Sequence, residues 1–495
     1  MSNIDMDQID GVAKSIEDKS MLVTGSTGFI AKIFVEKVLR IQPKVKKLFL
    51  LVRAKNDVCA KQRVEAEVME IELFNVLREK HGKNFSSFFW DKVHPVAGDI
   101  SSENLGINDG KLREFLWDEI DVIVNSAATT SFIDRYDTAL SINTFGVKNV
   151  LVFAMKCIDL KMLLHISTAY VNTERKGVIL EEPLSLDKAF NGCSKLDIEA
   201  EMALAQQTLE ELTRNEASQD AIKIAMKELG QKRALLFGWS NTYRFTKAMG
   251  EFLAYPFASR LPLVILRPTM ITSTYKEPFP GWIEGVRTID MYITNFAMGY
   301  VKYFPADYTS ILDLVPGDTV VNAMMAILAA HSHESSSFIY QIGSSLQNPL
   351  TIGEFISMAY RYCVQNPFTK RDGSLIKVKQ VQLTTMAVFQ ICMSLLLKVP
   401  LQALRLLGVL HPQMRSKYNQ LNRAYAYVLR VAKAYEPFTF YHGRFDNHNM
   451  QKLMLSMKEK DRELIPTDTK CIKWDEYIIN IHIPGLFMYG IKERK

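Results

Sequence analysis

Residues Met21–Lys32 read Met-Leu-Val-Thr-Gly-Ser-Thr-Gly-Phe-Ile-Ala-Lys. Leu22 and Val23 close a short apolar run suited to a buried parallel strand, and from Phe29 to Leu39 apolar residues recur at helical spacing. The turn between them therefore joins a strand to a helix. Gly25 permits the tight bend, Gly28 lets backbone approach a pyrophosphate, and Ala31 is small enough for close helix–strand packing. Thr24, Gly25, Ser26, Thr27, Gly28, Phe29 and Ile30 then form the cradle, with free amides facing phosphate oxygens at the helix start. The spacing is Gly-x-x-Gly-x-x-Ala, not Gly-x-Gly-x-x-Gly. An ordinary glycine turn that binds no nucleotide reads much the same, so the surrounding segments must decide.

They repeat the pattern. Lys47–Val52 is a second buried strand, and it ends in Arg53 where a carboxylate would select the ribose 2′-hydroxyl of NAD. A guanidinium there favours a 2′-phosphate instead, so the expected cofactor is NADPH, with Asp57 close by as the competing feature. Asp99 ends a third strand, where an adenine amino group can be accepted. Val122–Ala128 places small side chains, Ala127 among them, beneath the cofactor. Leu163–Asn172 ends a strand in two hydroxyls, Ser167 and Thr168. Strand and helix alternate through about the first 270 residues, which predicts an α/β fold with a doubly wound parallel sheet of Rossmann type.

Tyr243 and Lys247 share a face if Thr242–Leu253 is helical. An ammonium beside a phenol favours phenolate. Tyr243 is thus the expected proton donor to a carbonyl oxygen as hydride reaches carbon, Lys247 also holds the nicotinamide ribose, and Thr168 or Ser167 bonds the developing oxyanion. The pair alone is common on solvated helix faces. Its order after the glycine turn and the hydroxyl strand end makes chance a poor explanation.

Three further stretches carry a resemblance: Leu266–Thr274 (Leu-Arg-Pro-Thr-Met-Ile-Thr-Ser-Thr), Lys276–Gly285 (Lys-Glu-Pro-Phe-Pro-Gly-Trp-Ile-Glu-Gly) and Tyr435–Asn449 (Tyr-Glu-Pro-Phe-Thr-Phe-Tyr-His-Gly-Arg-Phe-Asp-Asn-His-Asn). With the motifs above, the chain resembles over nearly its whole length the plant alcohol-forming fatty acyl-CoA reductases, or male-sterility proteins, built on the extended short-chain dehydrogenase fold. The resemblance implies reduction of a long-chain acyl-CoA to a primary alcohol through an aldehyde, using NADPH, in the synthesis of wax, cutin, suberin or sporopollenin lipids. It also implies that Asn143 supports a proton relay beside Tyr243, Lys247 and Thr168. One departure is Ser240, where relatives commonly carry proline; it bears on loop stiffness.

The 495 residues are enough for more than one domain. The expected division is a reductase domain over 1–370, with a helical insertion at 196–236, and a smaller, mainly helical C-terminal domain over 371–495. The insertion reads as a solvated helix pair or, more sharply, as a lid over an acyl channel. Asp318 reads as a helix cap. Cys59, Cys157, Cys193, Cys363, Cys392 and Cys471 contain no Cys-x-x-Cys, so neither a metal nor a disulfide framework is expected. His94, His165 and His482 lie in apolar contexts and read as satisfied core or boundary residues.

Residues 371–495 hold 20 Lys plus Arg against 10 Asp plus Glu, a net of +10, whereas the first 370 residues carry −4. Gly373–Tyr435 contains nine basic residues and no acidic one. Within it Val381–Leu397 is uncharged and marginal in length for a bilayer span, and Lys398 and Pro400 are expected to interrupt it. Leu421, Tyr425, Val428, Ala432 and Tyr435 then recur at helical spacing, with Arg423, Arg430 and Lys433 off the stripe. Peripheral association with an anionic membrane, contact with the phosphates of a CoA thioester, and packing on the reductase domain all fit such a segment. No nucleic-acid module accompanies the charge. Met1–Lys19 is acidic and lacks a signal-peptide core, and the chain does not end in a peroxisomal signal, so a cytosolic, non-plastid location is expected. The basic region and the resemblance imply the cytosolic face of the endoplasmic reticulum. The rival readings are a dehydrogenase acting on a nucleotide sugar or flavonoid, an aldehyde-releasing acyl reductase, and a non-catalytic nucleotide-binding scaffold.

Overall fold

The computed structural model describes residues 11–172, 177–185, 196–331, 338–369, 372–407 and 412–491. Cys193, Arg371, the acidic residues through Asp10 and the closing Lys-Glu-Arg-Lys lie outside them.

Seven strands form one parallel sheet: β1 (Ser20–Thr24), β2 (Lys47–Val52), β3 (Val93–Ala97), β4 (Val122–Asn125), β5 (Met162–Ile166), β6 (Leu263–Pro268) and β7 (Phe338–Ile342), in the order β7-β6-β5-β4-β1-β2-β3. Both faces are covered, which is why the strands read as unbroken apolar runs. Met21 and Val23 point into one core, and Leu22 joins Phe49 and Leu51 in the other. From β3 the chain returns across β1 to start β4. Ligands of doubly wound sheets bind where strand order reverses in this way, at the carboxyl ends of β1 and β4. Thr24 and Asn125 are register partners there.

Helix α1 (Phe29–Ile41) leaves the glycine turn directly. Its buried charges are paired. Lys32 meets Glu284 at 2.6 Å, Lys37 meets Glu277, and Arg40 meets Glu36 at 2.9 Å. The Lys276–Gly285 loop is thereby pinned to the first helix. Burial still pushes the Glu36 carboxyl up to about 7. Asp318, on the helix Gly317–His331 that follows Leu314–Pro316, does serve as a cap, but of this same loop: its carboxylate accepts from the amides of Tyr275, Lys276 and Glu277 at 2.7, 2.8 and 2.9 Å.

The insertion forms two helices, α2 (Ile198–Arg214) and α3 (Gln219–Leu236). They pack through Ala205, Ile222 and Met226 with Tyr136, Phe245 and Met249, behind the helix α4 (Thr242–Ala254) that carries Tyr243. None of their residues lines the large apolar cavity described below.

The C-terminal region is woven into the rest. Gln382–Thr384 pairs in parallel with Tyr303–Pro305, and Gly443–Phe445 pairs in parallel with Gly177–Ile179. Between them lie α6 (Met386–Leu406) and α7 (Pro412–Thr439), numbered after the Gly317–His331 helix, α5. The expected interruption at Lys398 and Pro400 does not occur. The chain widens into a π turn at Ser394–Lys398 just before Pro400, which accommodates a residue with no N–H and a bulky ring, and the helix continues.

Candidate active site

The glycine turn is tight because backbone meets backbone. Gly25 has φ +67°, and a Cβ there would lie 2.7 Å from the Cα and the amide nitrogen of Ala127. Thr24 Oγ1 donates to Asn125 Oδ1 at 2.7 Å and accepts from the Ala127 amide at 3.2 Å. Ser26 Oγ donates inward to the carbonyls of Val23 and Leu51. Both hydroxyls therefore shape the cradle from within. Gly28 precedes the first helical residue, Phe29, whose ring stacks on Trp282 at 5.2 Å; Ile30 is buried behind it. Arg53 is exposed at the end of β2. Asp99 accepts from the amide and hydroxyl of Ser101 through Oδ1. Close backbone approach, open helix amides and a basic strand end fit a dinucleotide.

Sequence reasoning missed Arg63. It donates to the Arg53 carbonyl at 3.0 Å and to Thr27 Oγ1 at 3.3 Å while paired with Glu67, and so bridges the two segments where a dinucleotide's adenosine end would lie. The available signal was a basic residue one helix beyond β2, at (i, i+4) spacing from a glutamate.

Tyr243, Thr168, Ser167 and Lys247 converge at the end of β5. Thr168 Oγ1 bonds the Tyr243 hydroxyl. Lys247 Nζ donates to the Ile166 carbonyl at 2.7 Å, and the buried Ser167 Oγ has no partner among the described residues. The electrostatics differ from expectation. Burial pushes the Tyr243 phenol up to about 12, and the groups that oppose this are the Thr168 hydroxyl and the Arg287 guanidinium, not Lys247. Burial also pulls the Lys247 ammonium down to about 8. The ammonium is hydrogen-bonded to a backbone carbonyl and not to the phenol. Arg287, the second residue missed, also stands over the Phe29 ring at 5.7 Å.

Asn143 lies in a π turn, Leu140–Phe145. Its amide donates to the Thr129 carbonyl at 3.0 Å and to Thr246 Oγ1 at 3.1 Å, and its oxygen accepts from the Thr129 amide at 3.0 Å. It thus ties the 129 loop to α4 rather than bonding Tyr243 or Lys247 directly. Gly250 permits this seating, since a Cβ there would meet the Asn143 carbonyl oxygen at 2.3 Å.

Two buried arginines fix α4. Arg244 donates to the carbonyls of Tyr170 and Asn172, each at 2.7 Å, and to Ser240 Oγ at 2.8 Å. Ser240 therefore supplies a hydrogen bond that a proline could not. Arg267, from the Leu266–Thr274 stretch, pairs with Glu251, both fully buried.

From Tyr243 the site opens into an apolar cavity of about 570 Å³. The Phe132 ring sits 5.9 Å from that of Tyr243 and stacks on Phe438 at 5.1 Å. Beyond it the walls are the 288–305 segment, Phe389 and Met393 of α6, and Val428, Ala432 and Tyr435 of α7. The second half of the stripe expected on α7 thus faces the cavity, whereas Leu421 is exposed.

The histidines are only partly satisfied: the buried Nε2 atoms of His165 and His482 have no hydrogen-bond partner among the described residues. His165 Nδ1 meets Asn125 Nδ2 at 3.1 Å, and His94 Nε2 lies 3.3 Å from the Asp91 carbonyl. His482 lies between Ser273 Oγ (3.0 Å) and Asp290 Oδ1 (3.0 Å). This order is that of a nucleophilic triad, but all three side chains are sealed in the core, so the set ties the C-terminal segment down and meets no substrate.

Two family models, both described as Male sterility protein, match residues 23–324 and 396–493, the first being an NAD-binding one. The chain is 48% identical over 485 residues to Probable fatty acyl-CoA reductase 4 of Arabidopsis thaliana, covering 97% of this chain and 98% of that protein. The chain belongs to the male-sterility family of fatty acyl-CoA reductases. Within this family it is also 42% identical to the Alcohol-forming fatty acyl-CoA reductase of Simmondsia chinensis, over 97% of this chain and 99% of the relative. The fold is that of the terminal R domain from the myxalamid PKS-NRPS biosynthetic pathway (TM-score 0.58, 17% identity, 97% and 94% of the two chains) and of the reductase domain of a non-ribosomal peptide synthetase from Mycobacterium tuberculosis (TM-score 0.55, 16% identity, 98% of each). Family and fold make the chain an oxidoreductase with a nicotinamide cofactor.

Proposed function

We propose that the chain reduces long-chain fatty acyl-CoA to the primary alcohol, with NADPH as reductant. The observation that carries this reading is the apolar cavity that begins beside Tyr243 and the carboxyl ends of the strands. Its volume, about 570 Å³, lies in the range of pockets that enclose most of a ligand's surface, and its walls offer an alkyl chain apolar contact. A reader of nucleotide sugars would need polar walls instead.

A bound reduced nicotinamide would supply one hydride to the carbonyl carbon in each of the two reductions, so two NADPH are consumed in turn for each alcohol formed. Gly25, Thr27, Gly28, Phe29 and Ile30 would hold its pyrophosphate through backbone, Asp99 would take the adenine, Ala127 would line the floor of the cofactor site, and Lys247 would take the nicotinamide ribose. Arg53 and Arg63 recognise a 2′-phosphate. At the carbonyl oxygen, Thr168 and the unpartnered Ser167 hydroxyl donate hydrogen bonds. In the first reduction the negative charge that gathers there is released as the C–S bond breaks and CoA thiolate departs, leaving aldehyde. In the second, Tyr243 Oη delivers a proton to the oxygen and the alcohol forms. The 42% identity to an alcohol-forming relative supports carrying the reaction past the aldehyde.

The test is purified protein with NADPH and stearoyl-CoA, products read by gas chromatography. Octadecanol is expected, and Tyr243→Phe should lower its rate by roughly 10²–10⁴. Octadecanal as the sole product would replace the proposal with the aldehyde-releasing alternative.

A further inference from the structure

Helix α6 is covered on one side only. Over its 21 residues the mean hydropathy of the most apolar window is 1.6, yet only 11% of that window is buried. Phe389 and Met393 line the cavity, while Ile391, Leu395, Val399 and Leu406 are 59, 65, 54 and 73% exposed. Leu396 and Leu397 of α6, Tyr427 and Val428 of α7, and Tyr300 do both: each lines the cavity and is more than a third exposed. A side chain that is at once cavity wall and outer surface marks a mouth. The cavity thus runs from Phe132, beside Tyr243, to an opening on the exposed apolar face of α6.

An exposed row of this size needs a cover. Charge points to which. All nine basic side chains between Gly373 and Tyr435 are exposed, Lys398 and Arg405 on α6 itself, and no acidic residue accompanies them. A second copy would set this positive surface against its own likeness. An anionic bilayer would complement it, with the apolar row sunk at the level of the acyl chains and the cations at the headgroups. With the cavity against its other side, the helix would lie in that surface and not cross it.

We propose that α6 docks in an anionic leaflet and that the acyl cavity opens through it into the lipid. The proposal rests on the acyl reduction above. The thioester lies at Tyr243, the alkyl tail runs toward the leaflet, and tails too long for the cavity pass through the mouth into lipid. The product alcohol leaves the same way. Chain length is then limited by the membrane as well as by the cavity floor.

The experiment uses the full chain with no vesicles, with phosphatidylcholine vesicles, and with vesicles containing phosphatidylserine. Cosedimentation with the anionic vesicles is expected. Ile391→Glu with Leu395→Glu, neither of which lines the cavity, should lower partitioning on the order of tenfold or more, and Lys398→Glu with Arg405→Glu should abolish the preference for anionic lipid. Turnover of tetracosanoyl-CoA should rise several-fold with anionic vesicles in the wild type and not in the Ile391/Leu395 variant, while decanoyl-CoA turnover without vesicles stays equal in both. Equal partitioning of variant and wild type, or a dimer in sedimentation velocity that the variant makes monomeric, overturns the proposal. Cosedimentation needs no turnover, so absent activity on decanoyl-CoA would strike the reductase reading and leave the docking face to be judged by binding alone.

Discussion

Lys247 Nζ lies 2.7 Å from the carbonyl oxygen of Ile166, the last residue of the strand that continues into Ser167 and Thr168. This bond fixes the ammonium against the backbone that presents the two hydroxyls. The Tyr243 phenol answers instead to Thr168 and Arg287.

A pH profile follows from Lys247. Burial lowers its folded value to about 8, so the ammonium is lost as pH rises through that value. We expect kcat/KM for acyl reduction to fall above about pH 8 and Lys247→Arg to remove that limb. The stability effect has the opposite sign. The unfolded chain holds the proton up to its ordinary value near ~10.4, so burying the ammonium costs stability below about 8 and the cost fades as pH climbs between the two. Lys247→Met should be more stable to urea at pH 7, by at most about 3 kcal/mol, with the gap closing toward pH 10.

Thr168→Ala should remove the hydroxyl that bonds Tyr243 and lower kcat by roughly 10²–10³, with NADPH affinity unchanged in a fluorescence titration. A comparable loss of NADPH binding would assign Thr168 to cofactor positioning.

Gly25→Ala places a Cβ 2.7 Å from the Ala127 backbone at φ +67°. Backbone on both sides cannot yield, so NADPH dissociation should rise at least on the order of tenfold. Gly373→Ala is the control. Its φ is +80° in open space, so it bears the strain without the collision and should leave NADPH binding unchanged.

Arg53→Ala and Arg63→Ala should each raise KM for NADPH by roughly tenfold or more and leave KM for NADH nearly fixed, as loss of a charge-assisted phosphate bond requires. Equal effects on both coenzymes would mean that these arginines only brace the turn.

Arg267→Met leaves the Glu251 carboxylate buried without its partner and should cost about 3–5 kcal/mol in urea unfolding. Adding Glu251→Leu should restore part of the loss, since two apolar groups can replace a sealed ion pair.

Local patterns carried much of the fold and part of the site. The strands at Lys47–Val52 and Val93–Ala97, the helix from Phe29 and the helix bearing Tyr243 were legible because burial on both sheet faces and helical periodicity are written residue by residue. The break expected at Pro400 failed because a wide turn just before it takes up the ring, a compensation the residue types do not announce. Arg63 and Arg287 escaped notice because each acts across a gap in sequence, on Thr27 and on Phe29 with Tyr243.

By itself the sequence determined the parallel sheet, the cradle at Gly25 and Gly28, the shared helix face of Tyr243 and Lys247, and the adjacent hydroxyls of Ser167 and Thr168. Each of these depends on neighbours in the chain or on strict periodicity. Only the tertiary structure decided where the Lys247 charge points, that Asn143 binds a loop and not the tyrosine, and that residues near 290, 390 and 430 enclose one cavity. Those outcomes depend on which distant side chains come to share a space and on what burial there does to charge, and neither is encoded at any single position.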